Sequence, residues 1–80
     1  MKIVVRQTAL KEIKKIGEPY KSQIKSKITE LAGFPEVSNI KKLKNHQPSY
    51  RLRVGQYRVL FDVIEDRIEI ASIKHRKDAY

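Results

Sequence analysis

The sequence predicts a small α+β domain: a short β-strand, a helical hairpin, then an antiparallel β-meander (β-α-α-β-β-β). It is a two-layer arrangement with the helices on one sheet face. Three observations carry this. Tyr50 to Phe61 reads Tyr-Arg-Leu-Arg-Val-Gly-Gln-Tyr-Arg-Val-Leu-Phe, alternating on both sides of a Gly-Gln pair, as a β-hairpin with a two-residue turn does. Residues 9–31 carry two apolar stripes at helical spacing, broken around Gly17. A further apolar run from Arg67 to Lys74 follows a short acidic turn at Glu65-Asp66.

Eighty residues make one domain, spanning 1–80. With 40% hydrophobic and 34% charged residues the chain is globular rather than disordered. Eighteen Lys+Arg against nine Asp+Glu give a net charge of +9, which points to a polyanionic partner such as nucleic acid or an acidic protein. The absence of cysteine excludes disulfides and thiolate metal sites and fits a reducing cytoplasm. His46 and His75 are too few for a typical metal site. The apolar run at Met1 to Arg6 is too short for a signal peptide or membrane span, so the protein is expected to be soluble and cytoplasmic, with no membrane partner.

Taken in order, the β-branched run Ile3 to Arg6 predicts the first strand. Thr8 is the expected N-cap of a helix beginning at Ala9, although Lys11 stands where a capping box needs Glu or Gln. Leu10, Ile13 and Ile16 form its apolar face, and Gly17 is expected to end it in the left-handed conformation. Pro19 opens the second helix, whose stripe is Tyr20, Ile24, Ile28 and Leu31, and Gly33 and Pro35 stop it. These stripes are packing residues and carry no chemistry. Phe34 to Ser49 is expected to be irregular, with Pro35 and Pro48 as breakers. Its Lys41, Lys42 and Lys44 are either solvated surface or additional contacts for phosphate.

In the hairpin, Gly55-Gln56 as the turn sets Val54 opposite Tyr57, Arg53 opposite Arg58, Leu52 opposite Val59 and Arg51 opposite Leu60. Tyr50, Leu52, Val54, Tyr57, Val59 and Phe61 then share one face, and Arg51, Arg53 and Arg58 the other. Two arginines placed directly opposite repel. Either the outer face is simply solvated with its arginines splayed apart, or it is a seat for an anion, since the guanidinium fork suits phosphate. A two-residue turn at Glu65-Asp66 pairs Ile64 with Arg67, Phe61 with Ile70, Val59 with Ser72 and Arg58 with Ile73. That parity puts His75 on the arginine face and Lys74 on the opposite one, near Tyr57. Arg76 and Tyr80 follow within reach of the same face.

With the central hairpin and the terminal His-Arg-Lys-Asp-Ala-Tyr in view, the chain resembles the RelE/ParE superfamily of bacterial and archaeal toxins over its whole length. The resemblance implies the toxin of a type II toxin–antitoxin system. RelE-type members are mRNA interferases that cleave mRNA in the ribosomal A site and are neutralised by an acidic antitoxin. Position by position, it implies that Arg58 binds the scissile phosphate and that Arg76 stabilises the transition state and leaving group. Tyr80 matches a tyrosine implicated in activating the 2′-hydroxyl, and His75 is the alternative acid–base group. Arg51 and Arg53 stand where the RelE branch often has lysine, keeping the charge but not a titrating base. Cleavage of this kind uses neither metal nor cofactor: the 2′-hydroxyl attacks the adjacent phosphate. The rival reading, from the ParE branch, is a non-nuclease toxin that binds and poisons DNA gyrase. A plain RNA-binding module is disfavoured by the lack of an obvious set of exposed aromatic stacking residues.

Overall fold

A computed structural model describes residues 1–78. The elements are β1 (Lys2–Val5), α1 (Gln7–Lys14), α2 (Tyr20–Glu30) with a short 3-10 turn at Leu31–Gly33, β2 (Ile40–Lys42), β3 (Tyr50–Val54), β4 (Tyr57–Ile64) and β5 (Arg67–His75). The five strands form one sheet in the order β1-β5-β4-β3-β2. β1 runs parallel to β5, and every other neighbouring pair is antiparallel. Both helices lie on one face, giving the expected two layers. No helix among the described residues is long and apolar enough to cross a membrane.

The core is the closure of that face. Ala9 and Ile13 of α1, with Ile24, Ile28 and Leu31 from the second helical segment, meet Leu52, Val54, Val59, Phe61, Ile68, Ile70 and Ile73 of the sheet. Phe61 is fully buried, stacked on Tyr50 at 5.4 Å between ring centroids and met edge-on by Phe34 at 6.1 Å. Burying a side chain of this size contributes about 1.5–3 kcal/mol, so β4 is the strand the core is assembled on.

The helices differ from expectation at their ends. α1 starts at Gln7, and its N-cap is Arg6 in extended conformation, with no side-chain cap bond; Thr8 lies in the first turn instead. A guanidinium has donors only and cannot cap the helix N-terminus; that of Arg6 pairs with Glu69 at 2.7 Å instead. Gly17 does not take up a left-handed conformation; α1 ends through tightened bonds from Lys15 and Ile16 N–H to the carbonyls of Glu12 and Ile13. Ala9 rather than Leu10 faces the core, leaving Leu10 exposed, and Tyr20 is likewise exposed against Tyr57.

Two departures matter for function. The segment expected to be irregular contains β2, which adds to the edge of β3 with Ile40 opposite Leu52, Lys41 opposite Arg51 and Lys42 opposite Tyr50. Second, β5 carries a bulge. Phe61 pairs with Ile70 as expected, but Leu60 pairs with Ser72, leaving Ala71 unpaired. Strict alternation would turn Ile73 outward and Ser72 into the core. The extra residue reverses this, so Ile73 is buried with Val59 and the hydroxyl-bearing residue leaves the core face. Everything downstream changes face.

Candidate nucleic-acid interface

The β3–β4 hairpin has the expected register throughout, with Arg53 directly opposite Arg58. Gly55 sits at φ 58°, a turn conformation that glycine adopts without steric cost. This tight turn exposes carbonyls at the hairpin tip, and the Arg58 guanidinium folds back onto them, donating to Gly55 O and Tyr57 O at 2.9 Å each. Burial lowers the pKa of Arg58 from the usual arginine value, and the positive charges of Arg51, Arg53 and Arg76 lower it further. Four arginines from three stretches of chain therefore converge on one place.

Arg76 is held there by its backbone, whose N–H donates to Gln56 O at 2.7 Å. The end of β5 is thus stitched to the turn between β3 and β4. Around this junction runs a cleft of about 450 Å³ lined by Gln23, Lys27, Asn39, Arg53, Val54, Gly55, Gln56, Arg58 and Arg76. Among the described residues, no carboxylate side chain lines it. Lys27 pairs with Glu30 at 3.4 Å. A shallower hollow of about 250 Å³, lined by Asn39, Ile40, Lys41, Arg51 and Arg53, continues the basic surface along β2.

Three expected site residues fall elsewhere. The bulge pairs His75 with Tyr57, placing its ring against the tyrosine at 5.5 Å on the helix side of the sheet rather than on the arginine face. Its Nδ1 accepts the Lys77 N–H at 3.3 Å. Lys74, expected on the opposite face, is the residue that stands across from Arg58, and its ammonium reaches over the sheet edge to Glu12 at 2.7 Å. Lys42 shares the face of Tyr50, whereas its neighbour Lys41 joins Arg51. Lys44 is exposed in the turn beyond β2, outside the ladder that ranks Lys41 beside Arg51. Tyr80 lies outside the described residues.

The opposite end of the same outer face is acidic and internally paired. Asp62 is buried, with Oδ1 accepting the Ser49 N–H at 2.9 Å and Oδ2 3.6 Å from Arg6. Glu69 accepts from Arg6 and Arg67, and those hydrogen bonds lower its pKa. The face is therefore polarised, with neutralised pairs at one end and mutually repelling arginines at the other. Reading the sequence missed this pairing, and it missed Gln23, Lys27 and Asn39 as cleft residues. For Gln23 and Lys27 the signal was present, since residues four apart share a helix face; for Asn39 it required knowing that β2 exists.

A basic cleft on a β-α-α-β-β-β-β scaffold has clear relatives. The family model described as the ParE toxin of the type II toxin–antitoxin system parDE matches residues 3–80. The chain belongs to this family, within the RelE/ParE superfamily. It is 32% identical to Toxin RelE3 of Methanocaldococcus jannaschii over all of this chain and 96% of that protein. It is 29% identical to the mRNA interferase toxin RelE of Escherichia coli, covering 92% of this chain and 83% of that one. Its fold matches the toxin in the RelB–RelE antitoxin–toxin complex from Methanococcus jannaschii with a TM-score of 0.77 and 30% identity, covering 92% of this chain and 91% of that one. Family membership fixes the fold and the kinship; the arginine cluster is this chain's own geometry.

Proposed function

We propose that this chain is the toxin of a type II toxin–antitoxin system and acts as a ribosome-dependent mRNA endonuclease in the cytoplasm. The observation that carries the reading is the gathering of Arg53, Arg58 and Arg76 around one cleft, with Arg51 lining the hollow that continues it. A cluster of guanidinium groups of this kind suits the phosphates of a nucleic acid. The relatives named RelE3 and mRNA interferase RelE support the nuclease branch over gyrase poisoning.

The proposed reaction is attack of the 2′-oxygen on the adjacent phosphorus, in line with the departing 5′-oxygen. The P–O5′ bond breaks, leaving a 2′,3′-cyclic phosphate and a free 5′-hydroxyl. Arg58 and Arg76 offset the charge that gathers on the non-bridging oxygens. Arg58's two hydrogen bonds into the turn orient it before substrate arrives, which lowers the entropic cost of aiming it. Arg51, Arg53 and Lys41 align the strand through its phosphates. Tyr80 takes the 2′-hydroxyl proton, the role the family resemblance implies for it. His75, with Nδ1 already accepting from Lys77 and its ring against Tyr57, positions the chain that carries Arg76. An acidic antitoxin neutralises the toxin by covering the basic face.

The test incubates purified protein with programmed ribosomes and maps mRNA 5′ ends, with a gyrase supercoiling assay alongside. Cuts within A-site codons are expected, lost in Arg58→Ala and Arg76→Ala and strongly slowed in Tyr80→Phe. Intact mRNA together with inhibited supercoiling selects gyrase instead.

A further inference from the structure

We infer that Gln23, Asn39 and Gln56 form a base-reading subsite beside the arginines, selecting the nucleotide that flanks the cleaved phosphate. This rests on the ribonuclease reading above and adds the specificity determinant that the arginines cannot supply. A guanidinium has donors only, and its partner on RNA is the phosphate, which is the same at every nucleotide. A side-chain amide presents a donor and an acceptor in one plane, the pattern that matches the edge of an unpaired base.

Three features of the cleft support this division of labour. Its volume of about 450 Å³ lies within the roughly 300–1,000 Å³ typical of small-ligand sites, more than a phosphate alone requires. Its polar lining consists of cations and these three amides. Two of the amides are also tied through their own backbones to an arginine of the same cleft. Asn39 O accepts the Arg53 N–H at 3.0 Å, and Gln56 O accepts the Arg76 N–H at 2.7 Å. Gln23 is fixed on α2, its N–H bonded to Pro19 O at 3.2 Å. The backbones of Asn39 and Gln56 are therefore held beside those of Arg53 and Arg76 by main-chain bonds.

Asn39 adds a specific point. Its φ of 66° lies in the left-handed region, which asparagine tolerates better than most residues. Aspartate and glycine are the substitutions that keep this backbone while changing the amide.

The experiment measures single-turnover cleavage on ribosomes programmed with A-site codons that differ at one position. It uses the wild-type protein, Gln23→Leu, Asn39→Gly, Asn39→Asp, Gln56→Leu and the combined variant Gln23→Leu/Asn39→Gly/Gln56→Leu, with folding checked by circular dichroism and thermal melting. The wild type is expected to discriminate among codons. The combined variant, and at least one single variant, should compress or reorder that preference by on the order of tenfold while still cutting its best codon. Cleavage by every variant with wild-type preference overturns the subsite, as does a uniform loss of rate at all codons or a wild type that cuts all codons alike. Wild-type protein that cuts no codon overturns the ribonuclease reading itself, a distinguishable failure.

Discussion

Arg53 and Arg58 stand directly opposite each other across the β3–β4 ladder, and Arg58 donates two hydrogen bonds into the turn beside them. A cross-strand pair of like charges is destabilising, whereas opposite charges at such positions contribute roughly 0.2–1 kcal/mol. Arg53→Glu should therefore stabilise the isolated protein while removing its activity. For a domain of this size a gain of about 1 kcal/mol raises Tm by roughly 4–8 °C, so an increase of a few degrees is expected in a thermal melt. In the same preparation, cleavage on programmed ribosomes should be lost. A variant that melts lower than wild type would mean the two arginines do not oppose each other in the folded state.

The proposed role of Arg58 as a phosphate holder makes it part of the ionic component of RNA binding. Each phosphate contact to a single strand contributes about 0.7 to the slope of log affinity against log salt. Arg58→Ala should reduce the magnitude of that slope by about 0.7, measured by anisotropy with a short unstructured RNA between low and moderate salt. An unchanged slope with reduced affinity would place Arg58 away from the phosphates. Such a result would assign its two bonds at the turn to holding the hairpin alone.

The same hairpin shows why some of the fold was legible and some was not. Residues 50–64 combine period-two alternation with a turn glycine, so local pattern and tertiary demand agree and the register follows. β5 breaks that agreement. Its buried residues Ile68, Ile70 and Ile73 have spacings of two and then three, and only a bulge at Ala71 puts all of them on one face. The irregular spacing was visible, but a strict alternation was imposed on it, and His75 and Lys74 were assigned to the wrong faces as a result. β2 was hidden for a different reason. Three residues, Ile-Lys-Lys, carry little periodicity, and the strand exists because β3 offers it an unpaired edge. The Arg6–Glu69 contact joins residues 63 apart and left no local trace. Of the site, the arginines were legible because repulsion is a local anomaly; the amides that share their cleft were not, because a lone glutamine on a helix is ordinary.

Glu69 gives the acid side of the stability profile. Hydrogen bonds from Arg6 and Arg67 lower its pKa in the folded protein from a value near 4.5. A depressed carboxylate pKa means the unfolded chain binds the proton more readily, so the contribution is present above about pH 4.5. It is lost as the pH falls through the folded value. Glu69→Gln should thus melt below wild type at neutral pH, and the gap should close as the pH is lowered below about 4.5. A gap that stays constant across the melting series would mean that Glu69 acts through packing rather than charge.

Lys41 and Lys42 separate local geometry from net charge. They are adjacent, both exposed, and each removes one positive charge when replaced by alanine. The β2–β3 ladder nevertheless sends them to opposite faces, Lys41 beside Arg51 and Lys42 beside Tyr50. Lys41→Ala should weaken binding of the unstructured RNA several-fold and lower the salt slope by about 0.7, as for one lost phosphate contact. Lys42→Ala should leave both close to wild type, because its charge lies across the sheet from the arginines and solvent and salt screen it. Equal losses in the two variants would show that the attraction follows overall charge, and β2 would then drop out of the binding face. Loss confined to Lys41 would extend that face from the hairpin tip to the edge of the sheet, and would make the short strand that the sequence concealed part of the toxin's grip on RNA.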